Sequence, residues 1–150
     1  MLRTRRFLLI RTVAVVCLLA SSGCGGKKTV NVTGKLVLPN NVKLEKTDAV
    51  QITFVPEDPK NLAGIAKLTP PDLAFVVKNS TGKGVSTGKY KIAVKITPYA
   101  GMPESEKRAL SFEPINKFFA VSKSKLSYEV TQDAEQAVTV DLIKGTVTKN

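Results

Sequence analysis

A nucleophile held against a base is the mark of a hydrolytic enzyme, and this chain offers few of either. Its 150 residues contain no histidine. That removes Ser-His-Asp and Cys-His pairs, an imidazole general base and zinc sites built on histidine. Ser122 and Lys125 have the Ser-x-x-Lys spacing that, on a buried helix, brings a lysine amine beneath a serine hydroxyl. Neither a Ser-Asp-Asn nor a Lys-Thr-Gly partner accompanies them, and a polar lead-in to a strand at Leu126 explains the same residues. Glu57 with Asp58, and Glu104 with Glu106, are adjacent or nearly so in Pro-rich connections. Solvated acids are the default there, because a catalytic carboxylate pair needs burial to separate its pKa values. Gly82, Gly88 and Lys89 imitate a phosphate-binding loop, but five residues separate the glycines and Tyr90 stands where a Ser or Thr is required. No Asp-rich calcium loop occurs. The expectation is a non-catalytic chain with no cofactor and no metal.

Binding chemistry is better represented. Lys89, Lys91 and Lys95 alternate along one stretch and would share a strand face, with Lys35 a candidate to extend the stripe. Such a face either solubilises a sheet and protects its edge or meets an acidic glycan, an acidic protein or anionic lipid. Nucleic acid is not expected, since aromatic residues are only 6% of an exported chain. Phe112, Phe118 and Phe119 lie in the long connection 98–125 and either anchor it on the core or offer a contact site for another envelope protein. Three tyrosines and no tryptophan leave little surface for stacking sugars.

Export is read from the first residues. Arg3, Arg5, Arg6 and Arg11 precede the apolar run Thr12 to Ala20, whose length suits the roughly 7 to 15 residues of a secretory core. Arg11 interrupts the only stretch that could approach the about 20 apolar residues of a membrane span. Thr4-Arg5-Arg6-Phe7-Leu8-Leu9 touches the twin-arginine pattern, although a generic basic leader accounts for it. The run closes on Leu18-Leu19-Ala20-Ser21-Ser22-Gly23-Cys24, which resembles a bacterial lipoprotein lipobox, with Ser21 where leucine is preferred. The resemblance implies cleavage after Gly23 and a diacylglycerol on the Cys24 sulfur. Ordinary cleavage near Ser22, leaving a free thiol, is the alternative.

Processing of this kind would remove four arginines, lowering the basic count from 23 to 19 against 12 acids and the formal charge from +11 to +7. Cys17 would leave with the leader, so the processed chain could form no internal disulfide. Gly25, Gly26, Lys27 and Lys28 then form a short tether. Four residues reach at most about 14 Å, which keeps the domain close to the bilayer. Gly25 stands where an inner-membrane retention aspartate would, which favours the outer membrane.

The elements that position these residues follow a period of two. Val30, Val32, Leu36 and Leu38 oppose Asn31, Thr33 and Lys35, and similar runs cover 50–54, 73–77, 90–96, 126–130 and 138–142. Leu62 to Leu68 adds a seventh run, weakened by Gly64. Breakers at Pro39-Asn40-Asn41, Pro56 to Pro59, Pro70-Pro71, Gly82 to Gly88 and Pro98 to Pro103 separate them. Pro103 to Leu110 could form a turn or two of helix within the long connection. This spacing predicts an all-β antiparallel two-sheet sandwich.

Val32-Thr33-Gly34-Lys35-Leu36, Val50 to Pro56, Gly88 to Val94, Leu126 to Val130 and Val138 to Leu142 resemble small bacterial lipoproteins with a carboxypeptidase-regulatory-like, transthyretin-like domain. The resemblance implies a seven-stranded Greek-key sandwich of transthyretin-like or immunoglobulin-like kind, with Gly34 and Gly88 serving turns. The usual Asp-x-x-Gly-x-Phe hairpin is replaced by Asp72-Leu73-Ala74-Phe75. Transthyretin-like hydrolases use histidines, so that activity does not carry over. The expected organisation is a leader over 1–23, a tether over 24–29, a sandwich over 30–145 and a tail over 146–150. The expected role is a lipid-anchored structural or protein-binding module of the cell envelope. The alternatives are a glycan-binding module, or a hydrolase using carboxylates or Ser122 and Lys125.

Overall fold

Alternating apolar side chains draw most of the chain into strands. The computed structural model describes residues 28–101 and 103–150. The leader, Cys24 and the tether up to Lys27 lie outside the described residues. In chain order the elements are β1 (Thr29–Val37), β2 (Ala49–Pro56), β3 (Gly64–Leu68), β4 (Ala74–Asn79), β5 (Val85–Ser86), β6 (Gly88–Thr97), α1 (Ser105–Phe118), β7 (Ser127–Val130), β8 (Glu135–Asp141) and β9 (Thr146–Lys149). No helix among them is long and apolar enough to cross a membrane.

The strands form one mixed sheet in the order β7-β6-β2-β3-β4-β1-β8-β9, with β5 paired to the start of β1. All pairings are antiparallel except β1 with β8, which run parallel from Asn31 opposite Glu135 to Val37 opposite Asp141. The sheet turns a corner at β4. Its first residues pair with β1, Phe75 opposite Gly34, while its last pair with β3, Lys78 opposite Ile65. The two ends of the path then approach each other, and the sheet nearly closes into a barrel. Tyr128 of β7 donates its hydroxyl to Gln136 of β8 at 2.7 Å, and Lys149 of β9 meets Asp133, just before β8, at 2.6 Å.

Inward residues fill the interior: Val30, Val32 and Leu36 of β1, Val50, Ile52 and Phe54 of β2, and Tyr90, Ile92, Val94 and Ile96 of β6 are all buried. Burying such side chains contributes about 1.5–3 kcal/mol each, which is why one face of every long strand is apolar. Phe54 and Tyr90 pack with ring centroids 6.2 Å apart. The Tyr90 hydroxyl, carried inward with its ring, donates to the Ser86 carbonyl at 2.8 Å and so is not left unpaired.

The mostly β character expected from alternation is therefore observed, but not the seven-stranded antiparallel sandwich. Two strands are added and one pairing is parallel. β5 is only two residues long and β9 buries only Val147, partly, so neither carries an alternation signal. Residues 146–149, assigned to a tail, pair with β8 from Val138 to Asp141. Gly34 is not in a turn: it lies in the middle of β1, between β4 and β8. Gly88 does open a strand, with a φ of 135°.

The helix is longer than Pro103 to Leu110, running through Pro114 to Phe118. It lies against β6 and completes what β7 leaves open. β7 pairs with β6 only from Gly88 to Lys91. Beyond that, Ile92 donates its N–H to the Leu126 carbonyl and Val94 to that of Phe119. The Asn116 side chain accepts from the Ile96 N–H at 2.7 Å and donates to the Ile96 carbonyl at 2.8 Å, as a neighbouring strand would. The segment 116–126 thus supplies the hydrogen bonds that a buried strand requires.

Candidate anion-docking face

β1, β2, β3, β4 and β6 together carry six lysines and no carboxylate. The six are Lys35, Lys67, Lys78, Lys89, Lys91 and Lys95, and the pleat turns every one of them away from the core. Register groups them. Lys95, Gln51 and Lys67 form one cross-strand row over β6, β2 and β3. Lys91 lies opposite Val55, and Lys89 is the one placed directly across from an acid, Glu129 of β7. The acidic residues sit in connections, on α1 and on β7 and β8.

Lys89, Lys91 and Lys95 do share the outer face of β6, but this face is not at a sheet edge. β2 lies on one side, with β7 and the 116–126 segment on the other, so edge protection does not account for these lysines. Lys35 does not extend their stripe. Three strands separate β1 from β6 along the sheet. Lys35 instead joins Lys67 and Lys78 around an open depression of about 1100 Å³ outside β1, β3 and β4. Its lining includes the outward apolar residues Ile65 and Val76, 43% and 52% exposed, and no Asp or Glu side chain. Lysine stems are aliphatic and their ammonium groups flexible, so this surface offers apolar contact ringed by positive charge. It suits anion binding.

The three phenylalanines separate. Phe112 and Phe119 are buried, 2% and 5% exposed, and belong to the core, so a contact surface built on all three does not form. Phe118 is 59% exposed and meets Phe119 edge-on, centroids 4.9 Å apart. Pro114, Lys117, Lys123 and Lys125 surround it, bounding a smaller depression of about 340 Å³. Ser122 and Lys125 are both exposed beside a turn rather than held on a helix. The buried serine is Ser124, whose hydroxyl donates to the Ile92 carbonyl. Glu57 and Asp58 are exposed at the end of β2, and Glu104 pairs with Lys107 at 3.0 Å. Gly82 to Gly88 leads into a strand, not a helix.

Three titratable groups perturb one another at the seam of the sheet. Asp133 is held below the ordinary carboxylate range, first by its hydrogen bond from Lys149 and then by that from Thr131. The same bond raises Lys149. Burial raises Tyr128 beside them. The Lys149–Asp133 pair ties β9 to the turn before β8.

Lys67, Lys78, Ile65 and Val76 are the residues that sequence reasoning missed. Their alternation marks them as outward, but only the corner at β4 brings them beside Lys35. No family model, curated protein or solved structure matches the chain.

Proposed function

We propose that this protein is a lipid-anchored component of a bacterial cell envelope, with Cys24 carrying the lipid and the β domain serving as a non-catalytic docking module. The observation that carries the docking role is the face of five strands with six outward lysines and no carboxylate. Mixed surfaces normally intersperse both signs, and a one-signed face attracts anions and steers them in. The lipid anchor rests on the Leu18 to Cys24 segment and on the tether that delivers the chain into β1 at Thr29. Gly25 in place of aspartate supports outer-membrane residence. The resemblance carried by Val32 to Leu36 and Gly88 to Val94 fits a scaffold role, because both segments are strands.

Cys24→Ser is the direct test. The variant loses the only sulfur left after cleavage at Gly23 that could be lipidated, and so should move from the membrane to the soluble fraction of fractionated cells. Retention in membranes equal to that of the parent protein contradicts the reading.

A further inference from the structure

We propose that the depression between Lys35, Lys67 and Lys78 docks on anionic phospholipid headgroups of the membrane in which Cys24 is anchored. The inference rests on the lipid-anchor reading and adds to it an orientation: the outer face of β1, β3 and β4 turns towards the bilayer. Charge is the first argument. Three lysines ring the depression, and no Asp or Glu side chain lines it. Exposed Ile65 and Val76 between them match the aliphatic layer just beneath a headgroup, as in interfacial binding surfaces that combine apolar area with basic residues.

The path of the chain is the second argument. The turn Asn79 to Gly82 forms one wall of the depression. It leads directly into β5, whose Val85 and Ser86 pair with Val30 and Thr29, the first residues of β1. The wall of the depression therefore runs into the strand that pairs with the root of the tether. From Lys28 the chain reaches Cys24 in four residues, at most about 14 Å. An acyl chain on Cys24 thus holds headgroups near this end of the domain, at high effective concentration. Neither the leader nor the same face of a second copy has the sign to occupy it. The leader bears Arg3, Arg5, Arg6 and Arg11, and a second copy would bring lysines against lysines.

Amine labelling of the mature lipidated protein tests this. The protein is purified from membranes and reconstituted into vesicles of phosphatidylglycerol or of phosphatidylcholine alone, which retain the acyl anchor equally. At low salt, Lys35, Lys67 and Lys78 should label several-fold more slowly in phosphatidylglycerol than in phosphatidylcholine. High salt should abolish the difference, because such attraction is screened. Lys117, Lys123 and Lys125, around Phe118, should label alike in both. Equal labelling of the groove lysines in the two vesicles overturns the proposal while leaving the anchor intact. Protection by polyglutamate in detergent, with none in phosphatidylglycerol, overturns it in favour of an acidic chain. Failure of the protein to float with either vesicle is a different result: it overturns the anchor, and the orientation with it.

Discussion

Arg108→Ala should lower the melting temperature of the domain by about 10 °C. Asp48 lies at the end of the β1–β2 connection with its side chain fully buried, and Arg108 on α1 is its ionic partner through Nη2 and Oδ2. The Glu45 N–H also donates to Oδ2, at 2.7 Å. Asp48 Oδ1 and Arg108 Nη1 are buried without a hydrogen-bond partner among the described residues. The guanidinium also sits 5.7 Å from the centre of the Phe112 ring. Truncating Arg108 strands a carboxylate in the interior, which in comparable pairs costs about 3–5 kcal/mol. Arg108 is 19% exposed, so water reaches part of the pair and the lower end of that range applies. For a domain of this size about 3 kcal/mol corresponds to about 10 °C. The double variant Asp48→Leu with Arg108→Met removes both charges and should recover most of the loss, since an apolar pair of similar volume often replaces a buried ion pair without penalty. Thermal melts followed by circular dichroism decide it. A single variant that melts with the parent protein shows that the pair holds nothing in place.

Gly34→Ala should be nearly as damaging, although alanine is the better strand residue. A Cβ on Gly34 would lie 2.4 Å from Phe75 Cζ and 2.6 Å from the Val138 carbonyl oxygen. Phe75 is buried on β4 opposite Gly34, and Val138 belongs to the parallel β1–β8 ladder. Neither neighbour can withdraw without disturbing a strand on each side. Overpacking of this kind costs about 1–3 kcal/mol, occasionally more. The urea midpoint should fall accordingly. Adding Phe75→Leu should restore only part of it, because the Val138 carbonyl remains. An unchanged midpoint for Gly34→Ala would mean that β1 and β8 are not paired through this position.

Gly34 also shows where sequence reasoning reached its limit. Its neighbours Val32 and Leu36 announce a strand, yet a glycine reads as a turn until the ring of Phe75 is seen against it. The runs at 50–54 and 90–96 were legible because burial alternates along them, as with Val50, Ile52 and Phe54 against Gln51 and Thr53. Alternation specifies which side chains face inward but not which strand lies alongside, so the parallel pairing of β1 with β8 left no mark. α1 was only half visible. Pro114 argues against a helix interior, and Phe112 and Ile115 are its only buried residues, too few to form an apolar stripe. Phe118 and Phe119 were adjacent aromatics without a direction, and the end of α1 turned Phe118, its last residue, outward and Phe119, its C-cap, inward. Each groove lysine was legible as an outward residue. Their meeting was not, because it depends on β4 pairing with β3 at one end and β1 at the other.

The proposed lipid on Cys24 is the premise from which the compartment and the membrane-facing orientation follow. Intact-mass spectrometry of the protein extracted from membranes of the organism that makes it examines that point directly. The account predicts a chain beginning at Cys24, heavier than its amino-acid sequence by a thioether-linked diacylglycerol or by that group with a further acyl chain. A chain that begins elsewhere, or one whose Cys24 sulfur is unmodified, would contradict it.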